Sequence, residues 1–166
     1  MLNWFRRFFK KPRLVVLHQV YNPKAEVKFA EVIQTVPLRK VRGGFKIGRA
    51  HEGHDLDFAL PNNLMTGAVG RNHWLFHNEG RDYSLEDMGS KYGTCVNAEQ
   101  VAGSTLEGAK LDHNIVRLKH GDVIVPGKLP AEGSDVILVY DKTGRMKFSS
   151  PKDLREYAYR KEAGEE

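Results

Sequence analysis

The sequence predicts an all-β protein, a two-sheet antiparallel β-sandwich followed by a short C-terminal helix. Three observations support this prediction. Short runs rich in β-branched and aromatic residues recur between residues 14 and 140. Turn signals such as Asn22-Pro23 and Gly43-Gly44 separate these runs, and no long helical period interrupts them. Many short strands with frequent turns are typical of two sheets packed around one core.

The runs define ten predicted strands. They span residues 14–20, 27–36, 45–47, 57–60, 73–77, 83–86, 94–97, 115–118, 123–125 and 136–140. In the second run, apolar side chains occupy both sets of alternating positions, so we expect that strand to be mostly buried. The stretches 62–69 and 98–114 are long loops, and we expect the second to form an extra hairpin or an extended loop.

The end of the chain has the pattern of a helix. Ser150 is a suitable N-cap, Pro151 suits the first helical position, and Asp153 places an acid three residues after the cap. Leu154, Tyr157 and Ala158 then follow helical spacing, which predicts a helix over residues 151–163. A helix this short is marginal in isolation, so its apolar stripe should pack on the sandwich or on a partner. We therefore divide the chain into residues 1–13, a domain over 14–148, and a helix and tail over 149–166.

Residues 1–13 form a basic, aromatic N-terminal segment. Five of the 26 basic residues lie there without any acid, and the remaining 21 equal the 21 acidic residues of the chain. The body is therefore neutral overall, which argues against a nucleic-acid-binding domain. On a helix, Trp4 and Phe5 would share a face with Phe8 and Phe9. Such a segment could contact an anionic membrane surface, dock on protein, or be disordered.

We expect a cytoplasmic protein, with peripheral membrane contact through residues 1–13 left open. No apolar region typical of a signal peptide follows the first charges, and no run has the length of a transmembrane helix. The single cysteine, Cys95, excludes an intramolecular disulfide and lies in a predicted strand as a core thiol.

No enzyme constellation assembles from the sequence. Cys95 has no adjacent histidine, and the serines lack a nucleophile-elbow context. His51 and His54 have a spacing that metal sites use, but no carboxylate-rich helix surrounds them, so we interpret them as part of a polar loop. We expect neither catalysis nor a metal nor any other cofactor.

The most informative stretch runs from Asp87 to Asn97. Two glycines, Gly89 and Gly93, bracket a Ser-Lys-Tyr tip, and an alternating strand pattern follows. Glycines allow positive φ angles and close approach of the backbone, so this pattern predicts a tight loop that leads into a strand. Lys91 at such a tip can hold an anion beside exposed backbone N–H groups. A hairpin with a solvated lysine is the alternative interpretation.

Four blocks in fixed order extend this observation. They are Phe45-Lys46-Ile47-Gly48-Arg49, Val69-Gly70-Arg71-Asn72-His73, Gly89-Ser90-Lys91-Tyr92-Gly93-Thr94 with Asn97, and Gly121-Asp122-Val123-Ile124. This ordered set resembles the forkhead-associated (FHA) domain family over about residues 14–141. The resemblance implies an FHA/SMAD-like β-sandwich with its binding loops at one end. It also implies a module that binds phosphothreonine peptides.

The resemblance implies a phosphopeptide site at matching positions. Arg49 corresponds to the arginine that contacts the phosphate, Gly70 replaces the usual serine, and Arg71 follows it with a further charge. Lys91 and Tyr92 stand where the family often has threonine and asparagine, and Lys91 can still reach a phosphate. The usual serine and asparagine contacts are therefore missing at Gly70 and Tyr92, while positive charge is kept or increased. The implied supports of the binding loops are Gly48, His73, Ser90, Gly93, Thr94 and Asn97.

Two hypotheses remain open after these departures. In the first, a modified, more cationic site binds a phosphothreonine-containing partner in trans, downstream of a Ser/Thr kinase. Thr66, in the lengthened loop, would return a hydroxyl to this site. In the second, a divergent scaffold binds a partner without phosphate, at a membrane surface or elsewhere. Residues 1–34 contain no serine or threonine, so we expect no phosphorylated N-terminal tail, and no nucleic acid is expected as a partner.

Overall fold

The described part of the chain folds as two β-sheets with an α-helix packed on the outside. The computed structural model describes residues 11–63, 66–102, 115–127 and 130–165. The strands and the helix within these ranges are β1 (Arg13–Tyr21), β2 (Phe29–Pro37), β3 (Phe45–Arg49), β4 (Phe58–Leu60), β5 (Trp74–Glu79), β6 (Asp82–Asp87), β7 (Thr94–Val96), β8 (Glu99–Ala102), β9 (Ile115–Arg117), β10 (Val123–Pro126), β11 (Ile137–Asp141) and α1 (Pro151–Glu162).

The two sheets confirm the predicted β-sandwich. One sheet has the order β2-β1-β11-β10-β7-β8, and the other has the order β4-β3-β5-β6-β9. One pair differs from the antiparallel expectation, because β4 runs parallel to β3, with Ile47 opposite Phe58. Loop 50–57 carries the chain from the end of β3 back along its edge, so the next strand starts in the same direction.

Alternation along β1 distributes its side chains between two cores. Leu14 and Val16 face the second sheet and are fully buried in the main core. Val15 and Leu17 face the opposite side, where they pack with the helix residues Leu154 and Ala158 in a second buried cluster. The six-stranded sheet is thus covered on both faces, which explains the continuous apolar run in β1.

Helix α1 begins as its sequence predicts. The Ser150 hydroxyl accepts a hydrogen bond from the Asp153 N–H at 3.2 Å, and Pro151 occupies the first turn. Leu154 and Ala158 are fully buried against the sheet, and the Tyr157 hydroxyl donates to the Gly121 carbonyl at 2.9 Å. The predicted packing of the apolar stripe on the sandwich is therefore confirmed.

Cys95 lies in the second cluster as a core thiol. Its side chain is buried and its Sγ contacts the Gly127 carbonyl oxygen at 3.3 Å. Burial raises the pKa of the Cys95 thiol to about 11, and the Glu162 carboxylate adds to this rise. The thiol therefore stays protonated at neutral pH, which makes it a poor nucleophile.

The prediction that the second run is mostly buried is wrong. Strand β2 lies at the edge of the six-stranded sheet, and most of its residues are exposed or half-buried. Val27, which the prediction placed inside the strand, precedes β2 and is 68% exposed. An edge strand lacks a neighbour on one side, so apolar side chains on both faces do not ensure burial.

The stretch after β7 confirms part of the predicted hairpin. Strand β8 pairs with β7 across a turn in which Asn97 and Ala98 have φ angles of 50° and 65°. Residues 103–114, which complete the predicted long loop, and most of the N-terminal segment lie outside the described residues. In the part of the chain that the structure describes, no helix has the length and apolarity to cross a membrane.

The strand directions place three loops at one end of the sandwich. Strands β3 and β6 finish there, while β5 and β7 start there, as shown by the pairs Ile47–Trp74 and Trp74–Asp87. Loops 50–57, 61–73 and 88–93 leave the sheets at this end, which we call the loop end. Binding residues on such loops are held in place by a rigid scaffold beneath them.

Candidate functional site

Arg49 is the central cation of the loop end. It is the last residue of β3, and its backbone N–H donates to the Gly70 carbonyl at 2.9 Å. Its half-buried guanidinium donates from Nη1 to the Asn62 side-chain oxygen at 3.1 Å. Its buried Nε has no hydrogen-bond partner among the described residues. The guanidinium is thus held by a neutral amide and retains donors for an anionic ligand.

Gly48 allows the two loops beside Arg49 to meet. A Cβ atom at this position would lie 2.0 Å from the Arg71 carbonyl oxygen and 3.1 Å from that of Gly70. These neighbours are backbone atoms, so they cannot rotate away. A side chain at position 48 would therefore separate Arg49 from the loop that carries Gly70 and Arg71.

His73 joins this loop to the next one. Its Nδ1 accepts a hydrogen bond from the Gly70 N–H at 2.9 Å, so the ring proton lies on Nε2. Nε2 lies 3.1 Å from the Gly93 carbonyl oxygen and 3.2 Å from the Thr94 hydroxyl. The ring is fully buried and does not reach the surface. His73 therefore fixes the positions of Gly70 and Gly93 relative to each other without facing a ligand.

A buried carboxylate, Asp87, organises the loop 88–93. Its Oδ1 accepts from the Ser90 N–H at 2.7 Å, and its Oδ2 accepts from the hydroxyls of Ser90 at 2.7 Å and Thr94 at 2.5 Å. His73 Nε2 also lies 3.4 Å from Oδ2. Burial raises the pKa of Asp87, but hydrogen bonds from His73, Thr94 and Ser90 outweigh it and hold the pKa well below its usual range. Asp87 is therefore ionised at neutral pH.

The glycines of this loop have the predicted conformation. Gly89 and Gly93 have φ angles of 80° and 82°, and the Gly93 N–H donates to the Ser90 hydroxyl at 3.0 Å. The loop is thus tied at its base by Ser90 and Thr94. Its tip is left to present side chains outward.

Lys91 and Tyr92 occupy that exposed tip. The Lys91 ammonium lies 5.1 Å from the centre of the Tyr92 ring, and the tyrosine is 45% exposed. Arg71 is also exposed on the neighbouring loop. Gly70, next to Arg71, brings these two loops together, since a Cβ atom there would be 3.8 Å from the Ser90 Cβ. The structure therefore places the five predicted ligand-facing residues at the same end, on three adjacent segments.

Two predicted positions do not belong to this site. Asn97 follows the far end of β7, where its side chain donates to Asp122 at 2.9 Å and accepts from the Val123 N–H at 2.9 Å. It braces the turn at Gly121-Asp122, so its predicted role in supporting the binding loops is wrong. Asn97 follows the last residue of β7, so the length of this strand separates it from the loop end.

The hypothesis that Thr66 returns a hydroxyl to the site is also wrong. Thr66 is fully buried, and its Oγ1 donates to the carbonyl oxygens of Pro61 at 2.6 Å and Asn63 at 3.1 Å. Asn63 closes the same turn by accepting from the Thr66 N–H at 3.1 Å. The hydroxyl is therefore used to hold the 61–69 loop together.

Sequence reasoning missed two residues that shape the site. Asp87 had a signal, because an aspartate placed three residues before a serine can accept the serine N–H and nucleate a turn. No sequence signal indicated Asn62, since its contact with Arg49 depends on the path of the long loop beside β3. Trp74 joins the buried network of His73, Asp87 and Thr94, because its indole N–H donates to the Thr94 hydroxyl at 2.9 Å.

The histidine pair on loop 50–57 makes contacts within its own loop and with the next one. The rings of His51 and His54 are 5.3 Å apart and nearly perpendicular. His54 Nδ1 lies 3.3 Å from the Asn72 side-chain oxygen. Within the described ranges, no group of three or more metal-binding side chains comes together.

The arrangement at the loop end is suited to a phosphate group. Arg49, Arg71 and Lys91 supply positive charge from adjacent segments, whereas the Gly70 N–H is already donated to His73 Nδ1. A phosphorylated side chain carries nearly two negative charges and several acceptor oxygens, which arginine and lysine side chains can pair with. The fold and site thus define a β-sandwich of the phosphopeptide-binding class.

The comparison with known families agrees with this class. The model of the FHA domain matches residues 45–127, half of the chain. This range contains the Gly-Arg block, the histidine block, the glycine-rich loop and the late Gly-Asp turn. The chain belongs to the FHA domain family. No curated protein matches it.

Several solved structures are similar to the chain. The FHA domain of FhaA, complexed with the intracellular domain of Rv3910, is 25% identical with a TM-score of 0.43, and the match covers 76% of this chain and 98% of that one. An FHA domain studied for phosphothreonine-dependent interactions is 25% identical with a TM-score of 0.44, covering 77% and 95%. EmbR of Mycobacterium tuberculosis, in complex with a low-affinity phosphopeptide, is 18% identical with a TM-score of 0.42, covering 81% and 26%.

Proposed function

We propose that residues 14–148 bind phosphothreonine-containing segments of partner proteins and recruit those partners in Ser/Thr kinase signalling. Membership of the FHA family supports a phosphopeptide-binding module. The proposal assigns the phosphate to Arg49, with Arg71 and Lys91 as additional charges, while Gly70, a predicted phosphate contact, donates its N–H to His73 instead. It gives Tyr92 the position beside the peptide main chain. No catalytic step is part of this function.

The proposal depends mainly on the hydrogen-bond partners of the Arg49 guanidinium. Its guanidinium is fixed at the loop end by a neutral amide, and no acidic partner of Arg49 is found in the described part of the chain. A half-buried arginine without a carboxylate is electrostatically unsatisfied, and a dianionic ligand would satisfy it. The loops beside Arg49 are held by hydrogen bonds to buried residues, such as Gly70 to His73 and Thr94 to Asp87. Because the loop backbone is already ordered, binding a ligand costs less conformational entropy.

The proposed partner is another protein rather than this chain. Of the exposed threonines in the described ranges, Thr35 lies within β2 and is paired with Val15. Thr143 lies in a turn where its hydroxyl donates to Asp141 at 2.9 Å. Neither is on an extended segment that could reach Arg49 without unfolding part of the sheet, which supports recognition in trans.

A binding screen tests the proposal directly. The full chain is tested against a degenerate phosphothreonine peptide library and against the same library without phosphate. We expect phosphate-dependent binding that falls at least a hundredfold in Arg49→Ala, because charge-assisted hydrogen bonds to phosphate are lost. Arg39→Ala, which removes an exposed arginine beyond the end of β2, is the matched control and should bind like the natural chain.

A second candidate function rests on the altered positions. Gly70 has no hydroxyl and Tyr92 has no amide, so two side-chain contacts implied by the family resemblance are absent. A scaffold that binds its partner without phosphate would explain these changes. Equal binding of the phosphorylated and unphosphorylated libraries, unaffected by Arg49→Ala, would favour this candidate and reject the first.

A further inference from the structure

The hairpin formed by β1 and β2 extends beyond the rest of the sheet at the loop end. The last pair between β1 and its inner neighbour β11 is Leu17–Ile137, whereas the pairing of β1 with β2 continues to Tyr21–Phe29. Four residues of each strand therefore form a two-stranded ribbon, about 13 Å long at the usual rise of a strand. We call residues 18–32 the hairpin extension.

The hairpin extension carries exposed apolar side chains on both faces. Tyr21 is 47% exposed and contacts the ring of Phe29 on one face, with 5.0 Å between the ring centres. Val20 is 38% exposed on the other face, and Val27 near the tip is 68% exposed. A solvent-exposed ribbon gains nothing from apolar residues on both sides, so this pattern is typical of a surface that a partner covers.

Exposed apolar side chains are concentrated at this end of the molecule. In the described part of the chain, eight large apolar side chains are exposed. Six of them lie at the loop end: Val20, Tyr21, Val27, Met88, Tyr92 and Ile115. Val41, in contrast, lies in the connection between β2 and β3 at the opposite end. The apolar surface and the proposed phosphate site therefore share one end of the sandwich.

One hydrogen bond fixes the hairpin extension to a loop of the site, and another holds it to the segment before β11. The Asn63 side chain donates to the Gln19 carbonyl at 3.0 Å, and the Gln19 side chain donates to Asp135 at 3.0 Å. Asn63 directly follows Asn62, whose side chain holds the Arg49 guanidinium. Two consecutive residues thus connect Arg49 to the base of the hairpin, a distance on the order of 15 Å from side-chain lengths and the Cα spacing.

The charges of the hairpin extension favour a polypeptide partner. Lys24, Glu26 and Lys28 mix both signs around Val27. A surface for nucleic acid or for an anionic membrane would carry basic residues alone. A mixed charged rim around apolar side chains is what protein–protein interfaces have.

We propose that the hairpin extension is a second subsite for the phosphorylated partner, which binds apolar side chains about five to seven residues away from the phosphothreonine. This inference rests on the proposed function, because it takes the phosphate on Arg49 as its origin. The span follows from the distance to Gln19 plus the two further residues to Tyr21, divided by the length of an extended residue. The subsite adds contact area outside the loops that hold the phosphate.

The test uses the full chain and a library of phosphothreonine peptides with ten degenerate positions on each side of the phosphothreonine. We expect enrichment of apolar residues five to seven positions away on one flank. In Tyr21→Ser/Val27→Ser this enrichment should fall to background, and the best long peptide should bind about five- to tenfold more weakly. Val41→Ser removes an apolar side chain that is 37% exposed at the opposite end and should retain the enrichment.

Binding of a short peptide with three residues on each side should be equal in all these chains. Val27→Ser alone, at the most exposed position, covers the case in which the double variant fails to fold. Phosphate-dependent binding without distant apolar enrichment, or with enrichment that survives the substitutions, overturns the subsite and leaves the proposed function intact. No phosphate-dependent binding in any chain overturns both.

Discussion

The site consists of two layers that differ in how fully their polar groups are paired. In the buried layer, Asp87, Thr94 and His73 bond to one another and to the loop backbone. In the exposed layer, Arg49 bonds to a neutral amide, and Lys91 contacts the ring of the next residue. Two positions that depart from the family pattern, Lys91 and Tyr92, belong to the exposed layer, and Gly70, the third, joins the two layers through its bond to His73. The comparison teaches that loop shape and ligand chemistry are set by separate residues, so one can change without the other.

The largest expected effect comes from the buried layer. Asp87→Asn replaces an acceptor with an amide whose N–H groups face the hydroxyls of Ser90 and Thr94. We expect the free energy of unfolding to fall by about 4 kcal/mol, since breaking a buried charged network leaves several groups unpaired. Urea denaturation measures this loss. Asp55→Asn, at an exposed aspartate, should change stability by less than about 0.5 kcal/mol.

The same carboxylate predicts a pH dependence. The folded protein holds the pKa of Asp87 below its ordinary value of 3.8, so the unfolded chain binds the proton more readily. The resulting stability is present above about pH 4 and is lost as the pH falls below it. Stability of the natural chain should therefore fall more steeply with acid than that of Asp87→Asn. Parallel acid profiles of the two chains would contradict the role given to Asp87.

Gly48→Ala tests the close backbone contact between β3 and the loop that carries Gly70 and Arg71. The added Cβ would lie 2.0 Å from a backbone oxygen, so the strand and the loop must separate. We expect a loss of about 3 kcal/mol in the free energy of unfolding. Gly70→Ala is the matched control, because its Cβ meets nothing closer than 3.6 Å and should cost less than about 0.5 kcal/mol. Equal losses in the two variants would show that the close contact at Gly48 is not a constraint.

Asn62→Asp acts on the exposed layer alone. A carboxylate in place of the amide would pair with Arg49 and repel a phosphate, so we expect phosphopeptide affinity to fall about tenfold with stability unchanged. Asn62→Ala removes the same hydrogen bond without adding charge and should weaken binding less. Isothermal titration with one phosphopeptide from the library separates the two. If both variants bind equally, Asn62 does not influence Arg49 electrostatically.

Gly70→Ser should have the smallest effect. It restores the hydroxyl that the family resemblance implies, in a position with room for a Cβ. We expect unchanged stability and phosphopeptide binding about threefold tighter, because one neutral hydrogen bond to phosphate is added. Competition between the two chains for a labelled phosphopeptide measures the change. Weaker binding would indicate that the site needs the space at Gly70.

The strands of the fold were predictable because their signals are local. Alternating and β-branched runs located β1, β5 and β11 within one or two residues, and the Ser150 cap located the helix. Strand β8 was not identified as a strand, since Glu99 and Gln100 give it little apolar character. The exposure of β2 was not predictable either, because an edge position depends on which strands pair across the whole chain.

The residues of the site that belong to sequence motifs were predictable. Gly48, Arg49 and His73 were found from an ordered pattern, and the glycines of loop 88–93 from their conformational freedom. The contact of Asn62 with Arg49 depends on a loop whose path no local signal gives. Asn97 was misplaced, because a motif gives order along the chain but not which end of a strand each residue reaches.

The pairing of β1 with β11 has a consequence for how the domain folds. Arg13 contacts Asp141 across 128 residues of sequence, with 2.9 Å between Nε and Oδ2. The strands β3 to β6, in contrast, follow one another within residues 45–87. Contacts between distant residues close large loops and form slowly, so β3 to β6 can pair while the six-stranded sheet is incomplete. During synthesis, the inner edge of β1 therefore stays unpaired until β11 has left the ribosome, and an unpaired strand edge is a template for aggregation.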